Sequence, residues 1–288
     1  MGLSPYFRQE LDAFLTGFDF GGLRPNDPIA FPYRFDAQSD REIVGFLAAL
    51  LAYGRADLIA RAMEDILQRI GPRPTQSLIR DDEEAARNRF DGFVYRITRG
   101  IDIARLWTGL GHLLRTHKTL GQAMGHFDDP QAVDLRPALQ GLRTYVQEST
   151  PGFVHRKAFS HLLADPYGGS ACKRYNMFLR WMVRGPDAVD FGFWSDLGTH
   201  RLVMPIDTHV HRIGRYIGLT NRNQADWRTA VEVTNALKDL SADDPLRYDF
   251  AIAHLGISGQ CPSHRVESIC KDCAIRSICQ LPPADAIV

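Results

Sequence analysis

Four cysteines, Cys261, Cys270, Cys273 and Cys279, share one short segment at the spacing C-x8-C-x2-C-x5-C, close enough for four thiolates to wrap a compact metal centre. Structural zinc sites usually pair two Cys-x-x-Cys knuckles across a longer gap. Here one such pair is flanked by two single cysteines, which favours an iron–sulfur cluster over zinc. Lys271, Asp272 and Arg276 mark the segment as polar surface, unlike the cores in which unliganded thiols hide. Cys172 stands alone and reads as a small packing residue.

Two further constellations carry charge at helix starts. In Met204-Pro205-Ile206-Asp207-Thr208-His209 an apolar entry delivers a carboxylate just before a helix that continues through Ile213 and Tyr216. The simplest role for Asp207 there is an N-cap. In Ser170-Ala171-Cys172-Lys173-Arg174, the turn Asp165-Pro166-Tyr167-Gly168-Gly169-Ser170 opens a helix expected over about 171–183 and puts Lys173 in its first turn. The macrodipole and Arg174 both disfavour an added positive charge at that place, so a lysine held in a cleft there can present a nucleophilic amine.

The elements that must position these groups read as helices joined by Pro- and Gly-rich loops. Ser39 and Glu42 have the spacing of a capping box, followed by the apolar face Ile43, Val44, Phe46, Leu47, Leu50 and Leu51, which predicts a helix over about 40–53. Ile59, Met63, Ile66, Leu67 and Ile70 predict a second amphipathic helix ending at Gly71-Pro72, and the two should form a buried helical hairpin. Further helices are expected over about 101–116 and 136–146. The fold class is all-α, in two helical lobes: residues 35–160 form a central lobe, and residues 1–34 with 161–288 the other, with the active cleft between them. The 288 residues carry a formal net charge of zero, which argues against a protein that coats nucleic acid over its whole surface and leaves room for a local basic face. No stretch approaches a membrane span and the start lacks an apolar leader core, so a cytoplasmic, nucleoid-associated, monomeric protein is expected.

Taken together and in this order along the chain, the lysine-bearing helix, Ile206-Asp207-Thr208-His209 and the cysteine tail resemble the helix-hairpin-helix DNA glycosylases of the endonuclease III type. Those proteins carry a Val-Asp-Thr-His motif and end in a C-x6-C-x2-C-x5-C loop holding a 4Fe-4S cluster. His254-Leu255-Gly256 is similar to their approach to the cluster, and Phe46 to Arg55 is similar to the early helix that ends at their DNA-probing loop. Two departures stand out. The hairpin turn reads Pro166-Tyr167-Gly168-Gly169-Ser170 where the family has Leu-Pro-Gly-Val-Gly, and Lys173 lies 34 residues before Asp207, a long interval also found in the archaeal 8-oxoguanine glycosylase branch. The resemblance implies excision of a damaged base from DNA, with Lys173 attacking C1′, Asp207 assisting, and the resulting Schiff base nicking the strand. It also implies DNA contacts from Gly168, Gly169, Ser170, Arg174, Arg212 and Arg55, and stacking on an extruded base by Phe193 or Trp194. Three alternatives stay open: a glycosylase in which Asp207 activates water and the strand is left uncut, a noncatalytic DNA-binding protein of the same fold, and a zinc-binding structural protein.

Overall fold

A computed structural model describes residues 3–281. In chain order the helices are α1 (Pro5–Thr16), α2 (Phe20–Leu23), α3 (Gln38–Leu51), α4 (Ala56–Ile70), α5 (Pro74–Arg80), α6 (Glu83–Arg89), α7 (Gly100–His117), α8 (Leu120–Phe127), α9 (Arg136–Glu148), α10 (Lys157–Leu162), α11 (Lys173–Val183), α12 (Thr208–Tyr216), α13 (Trp227–Lys238), α14 (Asp249–Ile257) and α15 (Glu267–Cys270). Two strands, β1 (Val94–Tyr95) and β2 (Thr98–Arg99), pair antiparallel as a hairpin. The fold is therefore mostly helical, and none of the described helices is long and apolar enough to cross a membrane.

The chain divides into two compact units. A central unit comprises Arg24–Gly168 and Trp181–Leu197; a terminal unit comprises the described residues up to Leu23, Gly169–Arg180, and those from Gly198 onward. Three segments fall in a different unit from the one expected, 24–34, 161–168 and 181–197; the first and last bond to each other and to the central helices. Arg24 donates to the Ala188 carbonyl at 2.9 Å, the Tyr33 hydroxyl to the Val189 carbonyl at 2.9 Å, and the Trp194 indole to Glu42 at 3.0 Å.

In the central unit every residue of α3 from Glu42 to Leu51 is buried, so this helix is a core element enclosed all round and not an amphipathic surface helix. Its start corrects the expected capping box. Ala37 is the N-cap and makes no side-chain bond, which puts Ser39 inside the helix. Glu42 is fully buried and faces the core. There it accepts from the Leu120 and Gly121 amides at 3.0 and 3.2 Å, from the Trp194 indole and from Gln38. The capping geometry loses because these buried donors offer a carboxylate more than one surface amide can. At the start of α7, the hairpin of β1 and β2 closes on Phe90 through Gly100, where a Cβ would stand 1.8 Å from the Phe90 carbonyl oxygen.

The terminal unit is built on aromatic contacts and packed helices. Phe18 packs edge-on against Phe14, Phe20 and Phe250, while Tyr248 donates to Asp12 at 2.8 Å. Helices α12 and α14 pack together, and their approach depends on Gly256, where a Cβ would meet the His209 Cβ at 2.6 Å.

Because Glu42 satisfies several buried donors at once, Glu42→Ala should lower the stability of the central unit by about 3 kcal/mol or more, since each orphaned buried donor costs about 1–3 kcal/mol. Urea unfolding followed by tryptophan fluorescence measures this, and Glu42→Gln, which keeps one acceptor, should lose markedly less.

Candidate functional site

Asp207 is delivered by the buried run Leu202 to Ile206, anchored where the Met204 amide donates to the Thr234 hydroxyl at 2.9 Å. It is the N-cap of α12: its Oδ1 accepts from the His209 and Val210 amides, both at 2.9 Å. The capping role is thus filled by one oxygen. Among the described residues Oδ2 accepts no hydrogen bond, and the side chain is half-buried.

Lys173 begins α11. The chain reaches it through Cys172, whose φ of 50° turns the backbone into the helix, and the Asn176 side-chain amide fixes the turn by donating to the Ala171 carbonyl at 3.1 Å. The Lys173 ammonium is half-buried and rests 3.4 Å from the Met177 sulfur, a weak acceptor. Cys172 is buried, as a packing residue should be.

A carboxylate that sequence reasoning missed feels the charge of both. Asp249, the first residue of α14, pairs with Arg180 of α11 at 2.7 Å, with both side chains 4% exposed. Burial pushes the Asp249 carboxyl above the usual carboxylate range, the Arg180 charge and hydrogen bond pull it down, the Asp207 charge raises it again and Lys173 opposes that rise. Lys173, Asp207, Arg180 and Asp249 therefore form one charge cluster inside the terminal unit. The signal for Asp249 lay in its helix. Phe250, Ala251, Ile252, Leu255 and Gly256 make α14 apolar on every side, and an acid opening such a helix is buried with it.

The remaining expected contacts are scattered. Gly168, Gly169 and Ser170 are exposed, but the Gly168 amide is spent on the Asp165 carbonyl at 3.1 Å. Ser170 bridges to Asp226 at the foot of α13. Arg174 is half-buried in the first turn of α11. Arg55 is exposed in the central unit and forms a two-point pair with Asp57 at 3.0 and 3.1 Å. Phe193 stacks on Phe191 with ring centres 5.1 Å apart. Trp194 is not a stacking platform: it is 5% exposed and its indole is held by Glu42, because Gly121 leaves room for the ring to lie against α8.

All four cysteines line one chamber in the terminal unit, together with Tyr216, Pro262 and Ile275. Turn bonds from Cys273 to Cys270, from Arg276 to Cys273 and from Cys279 to Arg276 carry the backbone around it. Burial pushes the Cys261 thiol up to about 11 against the pull of Arg212, and burial also raises Cys273. Arg212, expected at DNA, is turned to this chamber instead, donating to the Cys261 carbonyl at 2.6 Å and leaving its Nε buried with no partner among the described residues. Tyr216 donates to the Ser263 carbonyl at 2.6 Å and accepts at its own carbonyl from the Gln280 amide at 2.6 Å. No three His, Cys, Asp or Glu side chains among the described residues converge on one point for a single ion. The thiols line one space instead, and Arg212, held at the Cys261 carbonyl, sets a positive charge beside that thiol. The donor set fits a thiolate-bound cluster.

Fold and site together define a mostly helical protein with a buried Arg180–Asp249 ion pair and a cysteine-lined chamber. The chain belongs to the family described as protein of unknown function DUF2400, whose model matches residues 27–258 and so ends before the first clustered cysteine. No curated protein and no solved structure matches it.

Removing the acid from the buried pair should expose its cost. Asp249→Asn leaves Arg180 uncompensated and should destabilise by about 3–5 kcal/mol, whereas the double replacement Arg180→Met with Asp249→Leu should recover most of that loss. Chemical denaturation of the three proteins decides it. Equal stability of Asp249→Asn and the parent would mean that the pair holds nothing in place.

Proposed function

We propose that this protein is a DNA glycosylase of the helix-hairpin-helix kind with lyase activity, acting on a damaged base in DNA. The observation that carries the reading is that Lys173 and Asp207, 34 residues apart in the chain, both act electrostatically on Asp249, which pairs with Arg180 of the helix that Lys173 begins.

In this reading the Lys173 amine attacks the sugar C1′ as the bond from C1′ to the base breaks, and the base leaves with the bonding electrons and takes up a proton. Asp207, whose Oδ2 is uncommitted, accepts the proton that the attacking nitrogen sheds and opposes the positive charge that develops on the sugar. Opening of the sugar ring gives a Schiff base on Lys173. Loss of the C2′ proton and departure of the 3′-phosphate then cut the strand. The Met177 sulfur competes little for the amine, since a thioether is a weak acceptor. A second reading rests on that same uncommitted oxygen: Asp207 activates a water molecule, the base is released, and the strand stays whole.

Cys261, Cys270, Cys273 and Cys279 are the residues that would hold a 4Fe-4S cluster, which in this reading serves as a covalent staple for the C-terminal segment. Thiolates that ring a chamber suit a cluster, whereas a lone zinc needs all four sulfurs about 2.3 Å from one centre. Aerobically purified protein should therefore be yellow-brown, with about four irons per chain, and Cys270→Ser with Cys273→Ser should lose both colour and iron. Colourless parent protein carrying one zinc would remove the cluster from the proposal.

Borohydride trapping tests the chemistry on duplexes holding 8-oxoguanine, uracil, thymine glycol or an abasic site. The parent should form a trapped adduct that Lys173→Gln abolishes, and Asp207→Asn should slow base release by about a hundredfold or more. Base release without trapping supports the water reading, and no release from any lesion overturns both.

A further inference from the structure

The central unit carries a surface that the proposed chemistry does not use. In the hairpin of β1 and β2, Phe93, Tyr95 and Thr98 are buried, while Val94, Arg96, Ile97 and Arg99 are exposed. Val94 is 61% and Ile97 51% exposed, an unusual degree for two β-branched aliphatics in one short hairpin. The connecting turn is only Arg96-Ile97. Arg96 there has a φ of 52°, a conformation that glycine or asparagine adopts more readily. Folding alone would favour one of those residues at the tip; an arginine suggests a task.

The hairpin is also firmly seated. The Tyr53 hydroxyl bonds Thr98 Oγ1 at 2.8 Å, the Tyr95 hydroxyl donates to the Tyr53 carbonyl, and the Gly100 amide closes on the Phe93 carbonyl at 2.8 Å. Its surroundings are basic although the whole chain is neutral. Arg96 and Arg99 form no ion pair among the described residues, and α10, packed beside β2, adds exposed Lys157 and His161. The nearby acids are mostly engaged: Asp57 by Arg55 and Arg61, and fully buried Asp102 by Arg156 at 2.8 Å. Asp91, at the base of the hairpin, is exposed.

We infer that this hairpin grips duplex DNA, with Arg96 and Arg99 on the phosphates and Ile97 wedged into the base stack. Two arginines flanking one exposed aliphatic at a narrow tip match the chemistry of a polyanionic groove with apolar base faces inside it. An acidic protein surface would satisfy the arginines and give Ile97 nothing to enter. The inference rests on the DNA-directed reading above, to which it adds the element that opens the stack before a nucleotide is turned out.

Fluorescence anisotropy of the full-length protein on a short duplex with a tetrahydrofuran abasic analogue, over a salt series from about 50 to 200 mM, tests the grip. Arg96→Ala with Arg99→Ala should bind at least about tenfold more weakly and lower the salt slope by about two, one for each phosphate left without its arginine. Arg228→Ala, removing an exposed arginine of α13 in the terminal unit, should leave both unchanged. For the wedge, 2-aminopurine beside the abasic analogue should brighten on binding the parent, and Ile97→Ala should lose that rise while affinity changes by less than about threefold. The inference is overturned if the paired arginine variant keeps its affinity and slope, if Arg228→Ala loses as much, or if Ile97→Ala brightens the probe like the parent. Failure of base release with hairpin-dependent binding intact would count against the glycosylase reading alone.

Discussion

Arg180 and Asp249 meet at 2.7 Å with almost no access to water. Withdrawing each charge from solvent costs several kcal/mol, recovered only while the two stay in close, directed contact. That requirement fixes α11 against α14 more tightly than apolar packing would, since aliphatic side chains tolerate sliding and an ion pair does not. Lys173 lies two turns before Arg180 on the same face of α11. Asp249 opens α14, which packs on α12, and Asp207 caps α12. The pair is thus the fixed point from which both proposed reacting groups take their positions.

Three half- or fully buried carboxylates show how environment divides one chemistry into separate roles. Both oxygens of Glu42 are committed to amides and the Trp194 indole, so it can only hold the core together. Asp249 gives Oδ2 to Arg180 and is closed off from solvent. Asp207 meets its structural duty with Oδ1 alone, since one oxygen accepts both first-turn amides, and Oδ2 is left for a substrate or a water. What separates Asp207 from the other two is that it has both a free oxygen and access to solvent.

Much of the helical fold was legible because apolar spacing carries it. The helices expected at 101–116 and 136–146 appear as Gly100–His117 and Arg136–Glu148, and Asp207 caps its helix as its setting implied. Other features were hidden for physical reasons. Ser39 and Glu42 have capping-box spacing, and nothing local shows that Trp194, 152 residues away, will claim the acid. For Trp194 itself, a loop of Gly, Asp and Phe reads as exposed until Gly121 opens a slot for the indole. Arg212 looked like a phosphate ligand because a basic residue after Asp-Thr-His sits near the expected cleft, yet i+5 from Asp207 on a helix points it toward Cys261. Only long-range partners decide such residues, and single-sequence patterns record none of them.

Helix α12 joins the two chemical centres of the terminal unit. Asp207 caps one end, while Arg212 and Tyr216 bond the backbone of the cysteine segment at Cys261 and Ser263, and Tyr216 also accepts from Gln280. Nine helical residues span about 13.5 Å, a length over which a helix moves as one body. The pivot is equally constrained, since Gly256 admits His209 so closely that no other side chain would leave α12 in place. Whatever orders the cysteine segment therefore also orients the Asp207 carboxylate. A thiolate-bound cluster is suited to that mechanical task because four covalent bonds would fix a segment whose own helix, α15, has only four residues. In the proposed reading, a cluster bound there would act through α12, by holding the helix that carries Asp207.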